Sequence, residues 1–240
     1  MKNYQNKNIL IIGSSWGQGE FCLETSNKLA VAHTGIEHFL SEYNKVTNLS
    51  SSSYSDWGVL DCLSGYFTGA HRSPEDLHVF ILQGDLMMSS KSSLFDIDYD
   101  KIISESGSLI DFYRSVAEIY YMKLNDIINF YNIKNVNLIG ATTDVETDLV
   151  KQFKNINVLV PSWIKLLDEY HVPSLIPLVF KQKFVTKMKN LQEEIFEVSD
   201  KNYPYAKKLM DTAYFGPVPN DFHPSRHGHK ILADFIKDRI

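Results

Sequence analysis

Near its start the chain carries a run of branched apolar residues that stops at a glycine and two serines, in Ile9-Leu-Ile-Ile-Gly-Ser-Ser-Trp-Gly-Gln-Gly-Glu20. An apolar run without polar alternation predicts a strand buried on both faces, as in a parallel sheet. The glycines and serines predict a tight turn into a helix. In α/β proteins such a turn lies at the carboxyl edge of the sheet, where ligands bind. One of Ser14 and Ser15 is therefore a candidate nucleophile, and a structural turn with two capping serines is the alternative.

Strand and helix patterns alternate along the rest of the chain. This alternation predicts an α/β fold with three α/β/α layers around a central, about five-stranded parallel sheet. We expect a single domain over residues 1–240, with a candidate insertion or partner surface at 172–213 and a long loop at 86–106. The predicted strands are 8–13, 45–49, 77–83, 135–140 and 156–160. The predicted helices are 20–43 with a break near Gly35, 56–66, 107–131, 144–153, one opening at Pro161, 184–198 and 225–239.

Composition narrows the class of protein. The 240 residues are 44% hydrophobic and 22% charged, which is typical of a globular protein with a sizeable core. The net charge of -5 argues against a nucleic-acid partner. No apolar run approaches the roughly 20 residues of a membrane span, and residues 1–7 leave no room for a signal peptide. Cys22 and Cys62 could pair, but two isolated thiols favour a reducing compartment. These features predict a protein that is cytoplasmic or carried in a larger assembly. We expect no cofactor and no membrane partner, and a homo-oligomer is possible.

A second cluster of chemically active residues precedes the last predicted helix, in Asn220-Asp-Phe-His-Pro-Ser-Arg-His-Gly-His229. A serine nucleophile needs a base, and the base needs an orienting group. Pro224 keeps His223 extended, so this histidine is predicted to lie in a loop beside Asp221. A metal site of three histidines is the alternative, but Pro224 interrupts the helical spacing that would bring His223 and His227 together. A structural histidine is the other alternative.

The two terminal motifs resemble those of the SGNH, or GDSL-type, serine hydrolases, in particular the compact branch of phage and bacterial proteins. That family opens with Gly-Asp-Ser-Trp-Gly-x-Gly-Glu, where this chain has Gly13-Ser-Ser-Trp-Gly-Gln-Gly-Glu20. It closes with Asp-x-x-His-Pro, where this chain has Asn220-Asp-Phe-His-Pro224. The resemblance covers nearly the whole chain. It implies a flavodoxin-like SGNH fold, with Ser15 as nucleophile and His223 as base. The larger assembly that carries the protein would then include a virion.

The resemblance also implies oxyanion donors, and here the chain departs from the family. The second-motif glycine falls near Ser53, whose backbone N–H would serve equally well. The third motif, Gly-x-Asn-Asp in the family, reads Gln83-Gly84-Asp85; Gln83 could offer an amide, whereas an ionised Asp85 could only accept. The acid of the last motif is replaced by Asn220.

These observations lead to one main hypothesis and two alternatives. The main one is a serine esterase for small acyl esters, such as O-acetyl groups on a glycan, with Ser15, His223 and the orienting residue Asp221, or else Asn220. The altered motifs favour the second, a binding or structural module with weakened chemistry that recognises a glycan or belongs to a larger particle. The third, a nucleotide-binding protein, is disfavoured because the glycine spacing is neither Gly-x-Gly-x-x-Gly nor a P-loop.

Overall fold

A computed structural model describes residues 6–25, 28–33, 35–51, 54–69, 74–84, 86, 108–141, 143–168, 184–187, 194–197, 224 and 226–240. Within these ranges the chain forms two compact units. The first comprises residues 1–17 and 43–163, and the second comprises residues 18–42 and 164–240. No helix in the described ranges has both the length and the apolar character needed to cross a bilayer.

The first unit is built on a five-stranded sheet in which every pairing is parallel. Its strand order is β4-β1-β5-β6-β7. When the five strands of this sheet are renumbered 1 to 5 along the chain, the order becomes 2-1-3-4-5, which is that of flavodoxin-like folds. The strands are β1 (Asn8–Gly13), β4 (Lys45–Asn48), β5 (Leu77–Gln83), β6 (Asn135–Gly140) and β7 (Ile156–Val160). The predicted fold class, an α/β protein with a central five-stranded parallel sheet, is confirmed.

Both faces of β1 are buried, as its unbroken apolar run predicts. Leu10 and Ile12 point to one face and Ile9 and Ile11 to the other, and all four are at most 1% exposed. The first face packs against the helices α3 (Asp56–Thr68) and α4 (Leu109–Tyr131) in one continuous apolar core. Such double-sided burial is what confines a parallel sheet to layered α/β folds.

The two long helices of this unit begin at caps that their sequences encode. Ser55 accepts a hydrogen bond from the Gly58 N–H at the start of α3, and Ser108 accepts one from the Asp111 N–H at the start of α4. Each bond satisfies one backbone donor that the first helical turn leaves unpaired. Two shorter helices also fall in or begin in this unit: α1 (Ser15–Gln18) and α5 (Thr147–Val150).

The second unit contains a four-stranded antiparallel sheet, which the sequence analysis did not predict. Its order is β2-β3-β9-β8. The strands are β2 (Glu20–Thr25), β3 (Lys28–His33), β8 (Phe184–Lys187) and β9 (Glu194–Glu197). The helices are α2 (Ile36–Leu40), α7 (Arg226–Lys237) and, apart from its first residue, α6 (Trp163–Asp168). Helices α2 and α7 pack together.

Two predicted helices are therefore wrong. Residues 20–43 form β2 and β3, with Thr25 paired to Lys28, and only the five residues of α2 are helical. The segment 184–198 contributes β8 and β9. Aromatic and β-branched residues such as Phe21, Val31 and Phe184 favour a strand wherever a partner strand exists. Besides β2, β3 pairs with β9, which lies more than 160 positions along the chain, so the local pattern could not reveal this partner.

Other parts of the prediction stay predictions. The described residues leave out 87–107, which hold most of the predicted loop at 86–106. They also leave out most of the candidate insertion at 172–213. The last helix was predicted over 225–239, and α7 occupies Arg226–Lys237.

Candidate active site

The serine turn directly follows the first strand of the parallel sheet. Ser15 is the first residue of α1, and the Gly17 N–H closes the turn by donating to the Ser14 carbonyl oxygen at 3.0 Å. Both serines are half-buried, whereas Trp16 and Gly17 are buried. Ser15 therefore lies at the carboxyl edge of β1, between the ends of β4 and β5.

At two positions in this turn, neighbouring atoms lie so close that only glycine fits. A Cβ on Gly13 would lie 2.8 Å from the Leu82 Cβ on the paired strand β5. A Cβ on Gly17 would lie 2.4 Å from the Ser50 Oγ and 2.9 Å from the Ser50 Cβ. Real Cβ atoms essentially never approach other atoms this closely. The glycines thus allow β5 and the segment after β4 to pack directly against the serine turn.

The tryptophan of the motif anchors the turn by packing. The Trp16 ring meets the Trp163 ring edge to face, with ring centroids 5.4 Å apart and both side chains at most 3% exposed. Aromatic pairs of this geometry contribute about 0.5–1.5 kcal/mol beyond their area of burial. The residue next to Ser15 is therefore fixed by the core.

The segment after β4 runs beside the end of β1 and is hydrogen-bonded to it. The Leu49 N–H donates to the Ile11 carbonyl oxygen at 2.8 Å, and the Ser51 N–H donates to the Gly13 carbonyl oxygen at 3.0 Å. The Asn48 side chain adds a further bond, from Nδ2 to the Gly17 carbonyl oxygen at 3.0 Å. This segment extends the pairing of β4 with β1 past the last strand residue.

Gln83, a predicted oxyanion donor, is fully buried at the end of β5 and is bonded to the scaffold. Its Oε1 accepts from the Tyr121 hydroxyl at 2.9 Å, and its Nε2 donates to the Asp144 carbonyl oxygen at 3.4 Å. Burial raises the pKa of the Tyr121 phenol well above its usual value, so this hydroxyl keeps its proton and donates it. These contacts give Gln83 a structural role, and its role toward an oxyanion stays a prediction.

The next residue, Gly84, forms hydrogen bonds through both its backbone N–H and its carbonyl oxygen. Its N–H donates at 2.8 Å to the Asp56 carboxylate, which is 5% exposed at the start of α3, and its carbonyl oxygen accepts from the Thr143 hydroxyl. The Tyr113 hydroxyl in turn donates to Thr143. The sequence analysis missed Asp56 and Thr143, because neither belongs to a motif; an acidic residue directly after a capping serine is the only signal for Asp56.

In the second unit, Gly35 lies close both to Gly19, near the end of the first terminal motif, and to His229, which follows the second motif. A Cβ on Gly35 would lie 2.4 Å from the Gly19 Cα and 2.8 Å from the His229 Cε1. Gly19 has a left-handed φ of 85°, which favours glycine. His229 is fully buried on α7. Gly19 lies four positions after Ser15, and His229 lies six positions after His223.

The remaining predicted site residues lie outside the described residues: Asn220, Asp221, His223, Ser53 and Asp85. Their roles stay predictions. Of the histidines considered for a metal site, His227 is half-buried and His229 is buried. The described ranges contain no group of three His, Cys, Asp or Glu side chains that could hold a metal ion. Cys62 is a free thiol.

Several solved structures are similar to this chain at low sequence identity. A member of the lipolytic G-D-S-L family from Veillonella parvula is 14% identical over 97% of both chains, with a TM-score of 0.48. TesA is 11% identical over 96% of both chains, with a TM-score of 0.45. A lipase/acylhydrolase from Enterococcus faecalis is 13% identical over 98% of this chain and 95% of the other, with a TM-score of 0.41.

No protein-family model matches the chain, and no curated protein does. At the identities and TM-scores above, the likeness to solved structures assigns neither a substrate nor a catalytic residue to this chain. The observed strand order and the serine turn define a flavodoxin-like α/β protein with a half-buried serine at the carboxyl edge of its parallel sheet.

Proposed function

We propose that this protein is an SGNH-type serine esterase that hydrolyses small acyl esters, such as O-acetyl groups on a glycan. Ser15 is the nucleophile, His223 is the general base and acid, and Asp221 orients His223. The backbone N–H groups of Ser15 and of the Ser53 region stabilise the oxyanion. The proposal for His223, Asp221 and Ser53 rests on the motifs of the sequence, because these residues lie outside the described ranges.

The observation that carries the proposal is the position of Ser15 in the strand order. From β1 the chain goes to β4 on one side, and the next strand of this sheet, β5, lies on the other side of β1. This is the switch point, where open α/β sheets bind ligands outside the carboxyl ends of their strands. Ser15 is the second residue after β1, and it begins a helical turn.

The reaction proceeds in two halves. The Ser15 Oγ attacks the ester carbonyl carbon, and its proton passes to His223. The tetrahedral intermediate collapses, the C–O bond to the alcohol breaks, and His223 gives its proton to the departing alcohol. Water then attacks the acyl-enzyme with the help of His223, and the carboxylic acid leaves Ser15. Each oxyanion donor contributes roughly 3 kcal/mol to such a transition state.

The test is the hydrolysis of p-nitrophenyl acetate and of an O-acetylated glycan. We expect Ser15→Ala to lower kcat by at least about a thousandfold, because the nucleophile is lost. Ser14→Ala is the matched control, since it removes the neighbouring hydroxyl from the same turn, and it should stay within about tenfold of wild type. Equal activities of wild type and Ser15→Ala would exclude Ser15 as the nucleophile.

A weakened binding module remains the second candidate, and the contacts of Gln83 favour it. This side chain is the one in the third motif that could offer an amide donor, yet its amide is bonded to Tyr121 and Asp144. Saturable binding of an acylated glycan, together with no hydrolysis across a panel of acyl esters, would favour this function over the esterase.

A further inference from the structure

Asn48, the last residue of β4, bridges the serine turn and the segment that follows β4. Its Nδ2 donates to the Gly17 carbonyl oxygen at 3.0 Å, and its Oδ1 accepts from the Ser50 N–H at 3.0 Å. One planar amide thus joins two backbone groups that belong to different parts of the chain. The side-chain amides of Asn and Gln offer a donor and an acceptor on one uncharged planar group, and Asn has the shorter reach.

The sheet register explains why Asn48 can reach the turn. Asn48 is the register partner of Ile11, two residues before Gly13, so its side chain lies beside the end of β1. Gly17 permits the close approach, because any Cβ there would collide with Ser50. The Ser50 Oγ is buried, and it has no hydrogen-bond partner in the part of the chain that the structure describes. The hydroxyl of Ser50 therefore fills space against Gly17, while Asn48 provides the polar link.

We propose that Asn48 is a positioning residue for the nucleophile. It holds the turn that begins at Ser15 against the segment 49–51, which leads to the candidate oxyanion residue Ser53. This inference rests on the proposed esterase function. Nucleophile and oxyanion donor must keep a fixed separation during acyl transfer, and a shift of about 1 Å can cost about a hundredfold in rate.

Asn137 offers a matched control within the same sheet. Its Nδ2 donates to the Val79 carbonyl oxygen at 3.4 Å, and its Oδ1 accepts from the Asn157 Nδ2 at 2.8 Å. It therefore also uses one amide both to donate and to accept, but on β6, two strands away from β1. Both variants replace an asparagine by alanine, so they change the unfolded chain in almost the same way. A difference between the two variants therefore reflects the position of the amide in the folded structure.

The experiment compares wild type, Asn48→Ala and Asn137→Ala in the full chain. Rates are measured with p-nitrophenyl acetate and with a fluorophosphonate that labels the nucleophilic serine. We expect Asn48→Ala to lower kcat and the labelling rate about 10- to 100-fold, with KM changed by less than about threefold. Asn137→Ala should keep kcat and the labelling rate within about threefold of wild type. Urea unfolding verifies that both variants are folded in the assay.

Amide hydrogen exchange separates this inference from the esterase proposal. We expect the Gly17 and Ser50 N–H groups to exchange at least about tenfold faster in Asn48→Ala and at the wild-type rate in Asn137→Ala, because only the first variant frees the turn. Unchanged exchange at both groups overturns the positioning role, whatever the activity. Faster exchange with an undiminished labelling rate also overturns it. If wild type itself is neither labelled nor active, the esterase proposal fails, and exchange alone then decides whether Asn48 holds the turn.

Discussion

The ends of β4 and β5 flank the same serine turn, yet their polar groups are used in different ways. At the end of β4, Asn48 and Ser51 donate hydrogen bonds to the turn and to the last residue of β1. At the end of β5, the side chain of Gln83 and the backbone of Gly84 bond to residues on or near α3, α4 and β6. One edge therefore positions the candidate nucleophile, and the other stabilises the scaffold.

The two edges also differ in the groups that make their contacts. The β4 edge acts through backbone groups and the amide of Asn48. The β5 edge contains the buried hydrogen bond between Tyr121 and Gln83. We therefore expect substitutions at the β4 edge to slow the reaction of Ser15, and substitutions at the β5 edge to lower stability without slowing that reaction.

The largest effect is expected at the contact between Gly17 and Ser50. In Gly17→Ala the new Cβ meets the Ser50 side chain at 2.4 Å, so the serine turn or the segment after β4 must move. We expect a loss of about 3 kcal/mol in the free energy of unfolding, measured in urea, and a slower reaction of Ser15.

Two variants sharpen this prediction. Ser50→Gly removes the colliding atoms, so the double variant with Gly17→Ala should recover most of the lost stability. Gly65→Ala is the control: nothing lies within 4 Å of a Cβ on this glycine of α3, and the substitution should stabilise the helix by up to about 1 kcal/mol. A Gly17→Ala protein as stable as wild type would mean that the β4 edge does not pack on the turn.

A smaller effect is expected at Gln83. In Gln83→Leu the buried Tyr121 hydroxyl loses its acceptor, so we expect about 2 kcal/mol of destabilisation. Adding Tyr121→Phe should then cost less than it does alone, which a double-mutant cycle measures. The fluorophosphonate labelling rate should stay within about threefold of wild type. A large loss of rate at unchanged stability would instead make Gln83 an oxyanion donor.

The smallest effect concerns pH and the helix that follows the β4 edge. Burial raises the pKa of the Cys62 thiol on α3, although a hydrogen bond with Tyr54 opposes the shift. The pKa of this thiol is therefore higher in the folded than in the unfolded protein, where it is about 8.5. The stability that this difference contributes is fully present below the unfolded pKa and is lost as pH rises through the folded pKa. Urea unfolding at pH 7 and pH 9.5 should show a smaller loss in Cys62→Ala than in wild type. Equal losses would contradict the shift.

The two units differ in how far the sequence predicts them. The strands β1 and β5 of the parallel sheet follow from continuous apolar runs, and β5 occupies the predicted residues Leu77–Gln83. Such runs need no knowledge of their neighbours, because both faces are buried. The antiparallel sheet is different: Lys28 pairs with Glu197, and residues 20–33 have a composition that suits helix or strand. The pairing of β3 with β2 and with the distant β9 decides between the two.

The candidate site divides in the same way. The serine turn after β1 could be predicted, because glycines, serines and the end of an apolar run are adjacent in the sequence. The role proposed for Asn48 could not, because it depends on the register that pairs Asn48 with Ile11. The network of Gln83 likewise depends on Tyr121, which lies 38 positions away on α4. Side-chain contacts across elements follow from tertiary structure, and a local motif does not contain them.

The central claim is that Ser15, rather than its neighbour Ser14, is the nucleophile. Its most direct test is to treat the full chain with a fluorophosphonate, digest it, and locate the adduct by mass spectrometry. We expect a single adduct on Ser15, formed in wild type and Ser14→Ala and absent from Ser15→Ala and from heat-unfolded protein. An adduct on Ser14, or no adduct on a protein that hydrolyses p-nitrophenyl acetate, would contradict the claim.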